Sequence, residues 1–319
     1  MRKHLLTMRA VLVAALATAG AAATANAQTT TADSTSLMTS ETTAQKTTVS
    51  AFAVGQGPEG IATDGSNIFV ANQFTNTVTK LSASGAVAGS YLVGQRPVAL
   101  AYDGVSVWVA NYLDNNVMRL DPSSGGVLGI YAVGEGPGGL LASGGNVWVA
   151  NRNSNTVTKL RASDGVTLGT YEVGTRPVGL ATDGAFVYVT NNNSDTVTKL
   201  RASNGVAVAT FKVGDGPFGI AFDGASLWVA NFGDNNVMKL GADGTLQGTY
   251  KVGDGPVSAI HHGGVVYVVN NGGDSVTKLR TLDGANLGSL SVGRGPIGVA
   301  ASGSTIWVTN SGGNTVTKR

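Results

Sequence analysis

Seven charged residues crowd one recurring pentapeptide. Glu59, Arg96, Glu135, Arg176, Asp215, Asp254 and Arg294 each lie within two residues of the proline in the motif V-G-x-[GR]-P. Carboxylates brought to one point could hold a divalent cation, as a metal-assisted lactonase or lyase requires. Charges at a sheltered rim could instead meet opposite charges on a ligand. Glu59, Glu135, Asp215 and Asp254 come from different copies of the motif, and nothing in the sequence fixes a shared geometry. Beyond residue 27 the only histidines are His261 and His262, and an adjacent pair in a turn makes a poor metal site. The chain has no cysteine, hence no disulfide, thiolate nucleophile or thiolate-bound metal. No G-x-S-x-G, phosphate loop or Cys/His set occurs. No catalytic constellation is visible, and neither a metal nor a cofactor is expected.

The elements that position these residues are periodic. The motif begins at Val54, Val93, Val133, Val173, Val213, Val252 and Val292, at spacings of 39 or 40 residues. Fourteen residues after each motif proline stands an asparagine: Asn72, Asn111, Asn151, Asn191, Asn231, Asn270 and Asn310. A period near 40 indicates a solenoid or a propeller. The second repeat decides between them. "PVALAYDG", "VSVWVAN", "NVMRLD" and "VLGIYAVG" are four short β-branched or aromatic runs separated by turn residues, with no helical period. Pairs such as Asp64-Gly65 and Asp183-Gly184 supply the positive φ angles of tight hairpins. Four strands per repeat make a propeller blade, and seven motifs make an all-β, seven-bladed β-propeller. The last repeat stops after three strands, at "NTVTKR", while an unassigned strand, "TTVSAFAVG", precedes the first motif proline. That strand is expected to complete blade seven and close the ring, hiding strand edges that would otherwise pair with other chains.

Each repeat carries one large ring at equivalent depth: Phe69, Trp108, Trp148, Tyr188, Trp228, Tyr267 and Trp307. These are read as packing between blades. Gly60, Ala99, Gly139, Gly179, Gly219, Ser258 and Gly298 fall where the innermost strand crowds the axis. The asparagines are read as structural, bonding nearby backbone and tolerating a left-handed turn. Lys80, Arg119, Lys159, Lys199, Lys239, Lys278 and Lys318 form a basic ring, one per third strand. It is read as long stems lying over the blades with their heads in water.

Tyr188-Val189-Thr190-Asn191 spells the signature of the YVTN β-propeller repeat proteins, and Trp307-Val308-Thr309-Asn310 with four W/F-V-A-N copies are variants of it. From about residue 47 to 319 the chain resembles that family, in particular its YncE-like exported branch. More distantly it is similar to NHL-repeat, lactonase and streptogramin-lyase propellers. The resemblance implies seven blades and an extracytoplasmic or cell-surface setting. It implies little about activity, because such folds host many functions.

The N-terminus agrees with export. Arg2, Lys3 and Arg9 precede an Ala-rich apolar run, and Ala25-Asn26-Ala27 is a small-x-small cleavage site, so residues 1–27 read as a signal peptide. The run is too short and too weakly apolar for a good membrane span. Residues 28–46, Thr/Ser-rich and nearly free of large apolar side chains, read as a flexible spacer before the propeller of 47–319. Losing Arg2, Lys3 and Arg9 takes 21 Lys and Arg to 18, against 19 Asp and Glu, a net charge of −1. A general positive field for nucleic acid or membrane is therefore not supported.

What recurs builds the blade; what differs between blades can make a site. Two loops per blade, one at V-G-x-[GR]-P and one after the asparagine, should emerge on one face around the channel. Their variable residues add Gln56, Gln95, Tyr112, Arg152 and Phe232 to the seven charged ones. Glu59 is distinctive because the equivalent residues are Val, Gly, Phe or Ile. His261 and His262 should lie on the opposite face. The expected protein is an exported, monomeric binding or scaffold module with an extracytoplasmic ligand (peptide, glycan or wall polymer) at the loop face. A lactonase- or lyase-type enzyme is the first alternative, a nucleic-acid binder the second.

Overall fold

The computed structural model describes residues 50–319. They form 28 strands in seven four-stranded antiparallel sheets arranged as a seven-bladed propeller. In six of the seven blades the strands follow chain order from the axis outward. Blades 1 to 6 span residues 58–92, 97–132, 137–172, 177–212, 217–251 and 256–291. Blade 7 spans 296–318, and its outer strand is Ser50–Ala53, pairing in antiparallel register with Phe52 opposite Val316. The expected closure is thus present. The expected signal peptide and spacer lie outside the described residues. Among those residues no helix is long and apolar enough to cross a membrane.

Burial follows strand position. The second strands, such as Phe186–Asn191, are buried on both faces because each blade is packed between two neighbours. The outer strands alternate exposed and half-buried residues. Trp108, Trp148, Trp228 and Trp307 are at most 1% exposed, and each packs against an aromatic ring of its own blade's outer strand, with ring centres 5.5 to 6.2 Å apart. In blade 7 that partner is Phe52, so the closing strand brings a core ring with it. Close approach at the axis explains the small residues there: a Cβ on Gly60 would stand 2.7 Å from Ala99 Cα of the next blade.

The asparagines are structural, but not through left-handed turns. Each is fully buried, and all seven donate through Nδ2 to the third strand: five to a hydroxyl, as Asn191 does to Thr196 and Thr198 Oγ1 at 3.1 and 2.9 Å, and Asn111 and Asn231 to the side-chain oxygens of Asn116 and Asn236. They also explain the motif glycine, since a Cβ on Gly174 would stand 2.6 Å from Asn191 Cγ. The left-handed residues are four positions later: Asn76, Asn115, Asn155, Asp195, Asn235, Asp274 and Asn314. Each accepts, at its side-chain oxygen, a backbone N–H from the motif loop of the next blade. Gly57 N–H to Asn314 Oδ1, at 2.9 Å, closes this circle across the chain termini.

The basic ring also departs from expectation. Six of its seven heads bond to backbone carbonyls of the next blade. Lys159 is 5% exposed, lies 5.0 Å from the centre of the Trp148 ring, and donates to Ala202 O and Ser203 O of the next blade at 2.8 and 3.1 Å. Lys80, Arg119, Lys199, Lys239 and Lys318 make equivalent bonds. Each turn before an outer strand presents carbonyls toward the preceding blade, and a long cation on that blade satisfies them.

Candidate ligand site at the channel mouth

The innermost strands leave an axial channel of about 220 Å³. Its wall is exposed backbone and mostly apolar side chains, among them Val98, Val178, Phe218, Val257 and Ile297, with Ser258. Glu59 is the one charged residue in that wall. Its position comes from two local features. Pro58 pairs with Asn72 but Ile61 pairs with Val70, so the register slips by one across residues 59–60 and the strand bulges there. Bulges re-aim side chains. The Thr309 hydroxyl of blade 7 then donates to Glu59 O at 2.7 Å while accepting from Gly298 N–H at 2.8 Å. This is the threonine of the YVTN-like signature, bridging adjacent innermost strands.

Arg96 and Arg176 hold φ angles of 54° and 59°. At the equivalent place the other five blades carry glycine, with φ between 60° and 64°. The loop conformation and its bond to the preceding blade are the same in all seven, so the loop itself does not call for arginine. A side chain in the left-handed region costs roughly 1 kcal/mol. Strain of this kind clusters where a side chain has work beyond folding. The Arg96 guanidinium lies 4.9 Å from the Tyr112 ring centre and donates to Gln73 Oε1 at 3.3 Å.

Arg152 is the residue whose role is least visible in its own loop. It follows the buried Asn151, yet its guanidinium lies 5.5 Å from the Phe218 ring centre, reaching from blade 3 to blade 5. Gly138 makes this path available: any side chain there would overlap the Arg152 stem. The signal was in the sequence, because blade 3 alone has glycine immediately after its motif proline. Arg152 Nε is buried with no hydrogen-bond partner.

Glu59 is coupled electrostatically to Arg152 and Arg96, and Arg152 to Arg176 and Tyr112. Yet the ion pairs among the described residues are Arg161–Asp164 and Arg280–Asp283, both elsewhere on the surface. The mouth therefore gathers opposite charges that do not neutralise one another by contact. Burial pushes the Glu59 carboxyl up to about 7 despite the lowering influence of Arg152 and Arg96. Burial and the neighbouring Arg176 charge lower Arg152, with Glu59 opposing them.

The other rim residues separate from this group. Glu135, Asp215, Asp254 and Arg294 are exposed and are not in the channel wall; Arg176 is exposed and outside the wall as well, but it is coupled electrostatically to Arg152. The Arg294 guanidinium is bonded to Gly312 O of its own blade. Gln56, Gln95 and Phe232 are exposed as well. His261 and His262 end the innermost strand Pro256–His262, at the opposite end from its proline. Among the described residues no three carboxylate, imidazole or thiol groups are placed to hold a metal ion.

No protein-family model matches the chain, and no curated protein matches it in sequence. Solved structures do resemble it. A streptogramin B lyase superposes with a TM-score of 0.74 at 17% identity, covering 85% of this chain and 96% of its own. The Kuenenia stuttgartiensis hydrazine synthase superposes with a TM-score of 0.74 at 20% identity, covering 84% and 96%. At these identities the likeness is one of fold.

Proposed function

We propose that this chain is an exported propeller of YVTN, YncE-like type that acts as a binding module, capturing its ligand where the loops meet the axial channel. One observation carries the reading. Arg96 and Arg176 occupy left-handed positions that every other blade gives to glycine, on the same side of the ring as Glu59 and the channel-spanning Arg152. Local strain without a folding benefit supports a ligand as the reason for those side chains. The test is a ligand-observed NMR screen of small organic acids, amines, peptides and glycans against the purified chain and its Arg96→Ala/Arg176→Ala variant. Hits lost in the variant, with little change in melting temperature, support the mouth as the site. Hits that all survive the variant move the site elsewhere. Turnover of a hit, in place of capture, would favour the enzyme reading. Glu59, with its carboxyl raised to about 7, is the group suited to proton transfer near neutral pH.

A further inference from the structure

On the reading that the channel mouth binds a ligand, we infer that the ligand is a monocarboxylate with a short apolar or aromatic tail. Its carboxylate faces Arg96, Arg152 and Arg176, and its tail enters the channel.

Charge sets the head group. Three guanidinium groups gather with one carboxyl group, so the mouth accepts a net negative charge. Arg152 Nε is buried with no acceptor, and a guanidinium offers paired donors in a plane that suits a carboxylate. Glu59 limits how much negative charge is tolerated. A dianion such as phosphate meets more repulsion from an ionised carboxylate than a monoanion does. A protonated Glu59 carboxyl can donate a hydrogen bond to a ligand carboxylate.

The channel sets the tail. At the level of Glu59 the wall offers Val98, Val178, Phe218, Val257 and Ile297, with Ile61, Leu100 and Ile220 further along the same strands and no charge other than Glu59. A volume of about 220 Å³ is larger than the apolar cavity of ~150 Å³ that accommodates benzene. It therefore has room for a phenyl ring or a short branched alkyl chain. Backbone polar groups share the wall with these side chains, so an apolar tail gains affinity where it displaces water lying against the side chains. A chain terminus as well as a free acid can present to such a channel.

A free organic acid and the C-terminus of a peptide share this chemistry. The probes are 3-phenylpropionate, 4-methylpentanoate, their primary amides, acetate, inorganic phosphate, and a short peptide ending in leucine with its C-terminal amide. Each is titrated by NMR or calorimetry against the full chain, Arg152→Met, Arg96→Ala/Arg176→Ala and Glu59→Gln. The two tailed acids are expected to bind with a Kd on the order of 1 mM or tighter, set by their small size. Amides, acetate and phosphate should be at least tenfold weaker, and Arg152→Met should weaken the acids at least tenfold while Glu59→Gln retains them. Tighter binding of the peptide than of the free acids identifies a chain terminus as the source, and the reverse a metabolite-like acid. Phosphate or acetate binding as well as the tailed acids overturns the inference, as does no binding of either tailed acid up to about 10 mM. In both cases capture of another ligand that Arg96→Ala/Arg176→Ala abolishes leaves the mouth reading standing. Tailed-acid binding untouched by all three arginine substitutions overturns both.

Discussion

Replacing Glu59 with glutamine should make the protein more stable at alkaline pH and remove part of its pH dependence. In the folded state the Glu59 carboxyl is raised from 4.5 to about 7, burial being the largest cause and the attraction of Arg152 and Arg96 opposing it. The folded protein thus keeps a proton that the unfolded chain releases. Stability therefore falls as pH rises from about 4.5 to about 7, and the full penalty is present above that range. One pKa unit corresponds to ~1.4 kcal/mol, so the penalty is about 3 kcal/mol, with the arginine attraction already included. Glutamine keeps the shape without a charge to desolvate. For a chain of this size each kcal/mol moves the melting temperature by roughly 2 °C, so Glu59→Gln should melt about 6 °C above the parent at pH 8. The two should coincide near pH 4.5. Calorimetric melts of both proteins across pH 4.5–8 measure this difference, and subtraction cancels His261, His262 and the remaining carboxylates. A variant that is less stable at pH 8, or shifted equally at every pH, would show that Glu59 is not a desolvated carboxyl at the mouth.

Deleting residues 47–54 should lower the melting temperature sharply, because blade 7 loses its outer strand and Phe52 leaves Trp307, whereas deleting 28–46 should leave the melt unchanged. Trp148→Ala, measured by chemical denaturation, should cost about 3 to 5 kcal/mol, as other buried aromatic truncations do. Lys159→Ala should cost about 2 kcal/mol, since it strands two carbonyls of the next blade and removes a cation–π contact; a cost near zero would return the lysine heads to solvent. Arg96→Gly should raise stability by about 1 kcal/mol, by relieving a φ of 54°, while weakening ligand capture. A loss of stability would mean that the arginine serves the loop after all.

Blade count, strand order, closure by the first strand and the aromatic layer were all legible in the repeats, because each blade buries the same side chains against the same kind of neighbour. Trp148 reads as core from spacing alone. Lys159 does not read correctly from spacing, because its partners are carbonyls some forty residues ahead, and backbone acceptors leave no mark in composition. Asn76 and its equivalents were visible at a fixed distance from every proline, but the larger asparagine signal at Asn72 drew the left-handed role to itself. Within the candidate site, Glu59, Arg96 and Arg176 stood out as departures from the repeat. Glu135, Asp215, Asp254 and Arg294 stood out equally, and only the folded structure shows that the charges coupled to Glu59 and Arg152 are arginines of blades 2 to 4.

By itself the sequence determined the architecture, since a 40-residue period with four β-runs and a displaced outer strand admits one closed ring, and like repeats must pack alike. Only the tertiary structure decided which of the charged residues share a space. Arg152 shows why: it stands in blade 3, its path is cleared by Gly138, and its guanidinium reaches Phe218 in blade 5. Ring closure brings blades far apart in sequence around one axis, and the charge environment of a carboxyl such as Glu59 depends on that convergence, not on its neighbours along the chain.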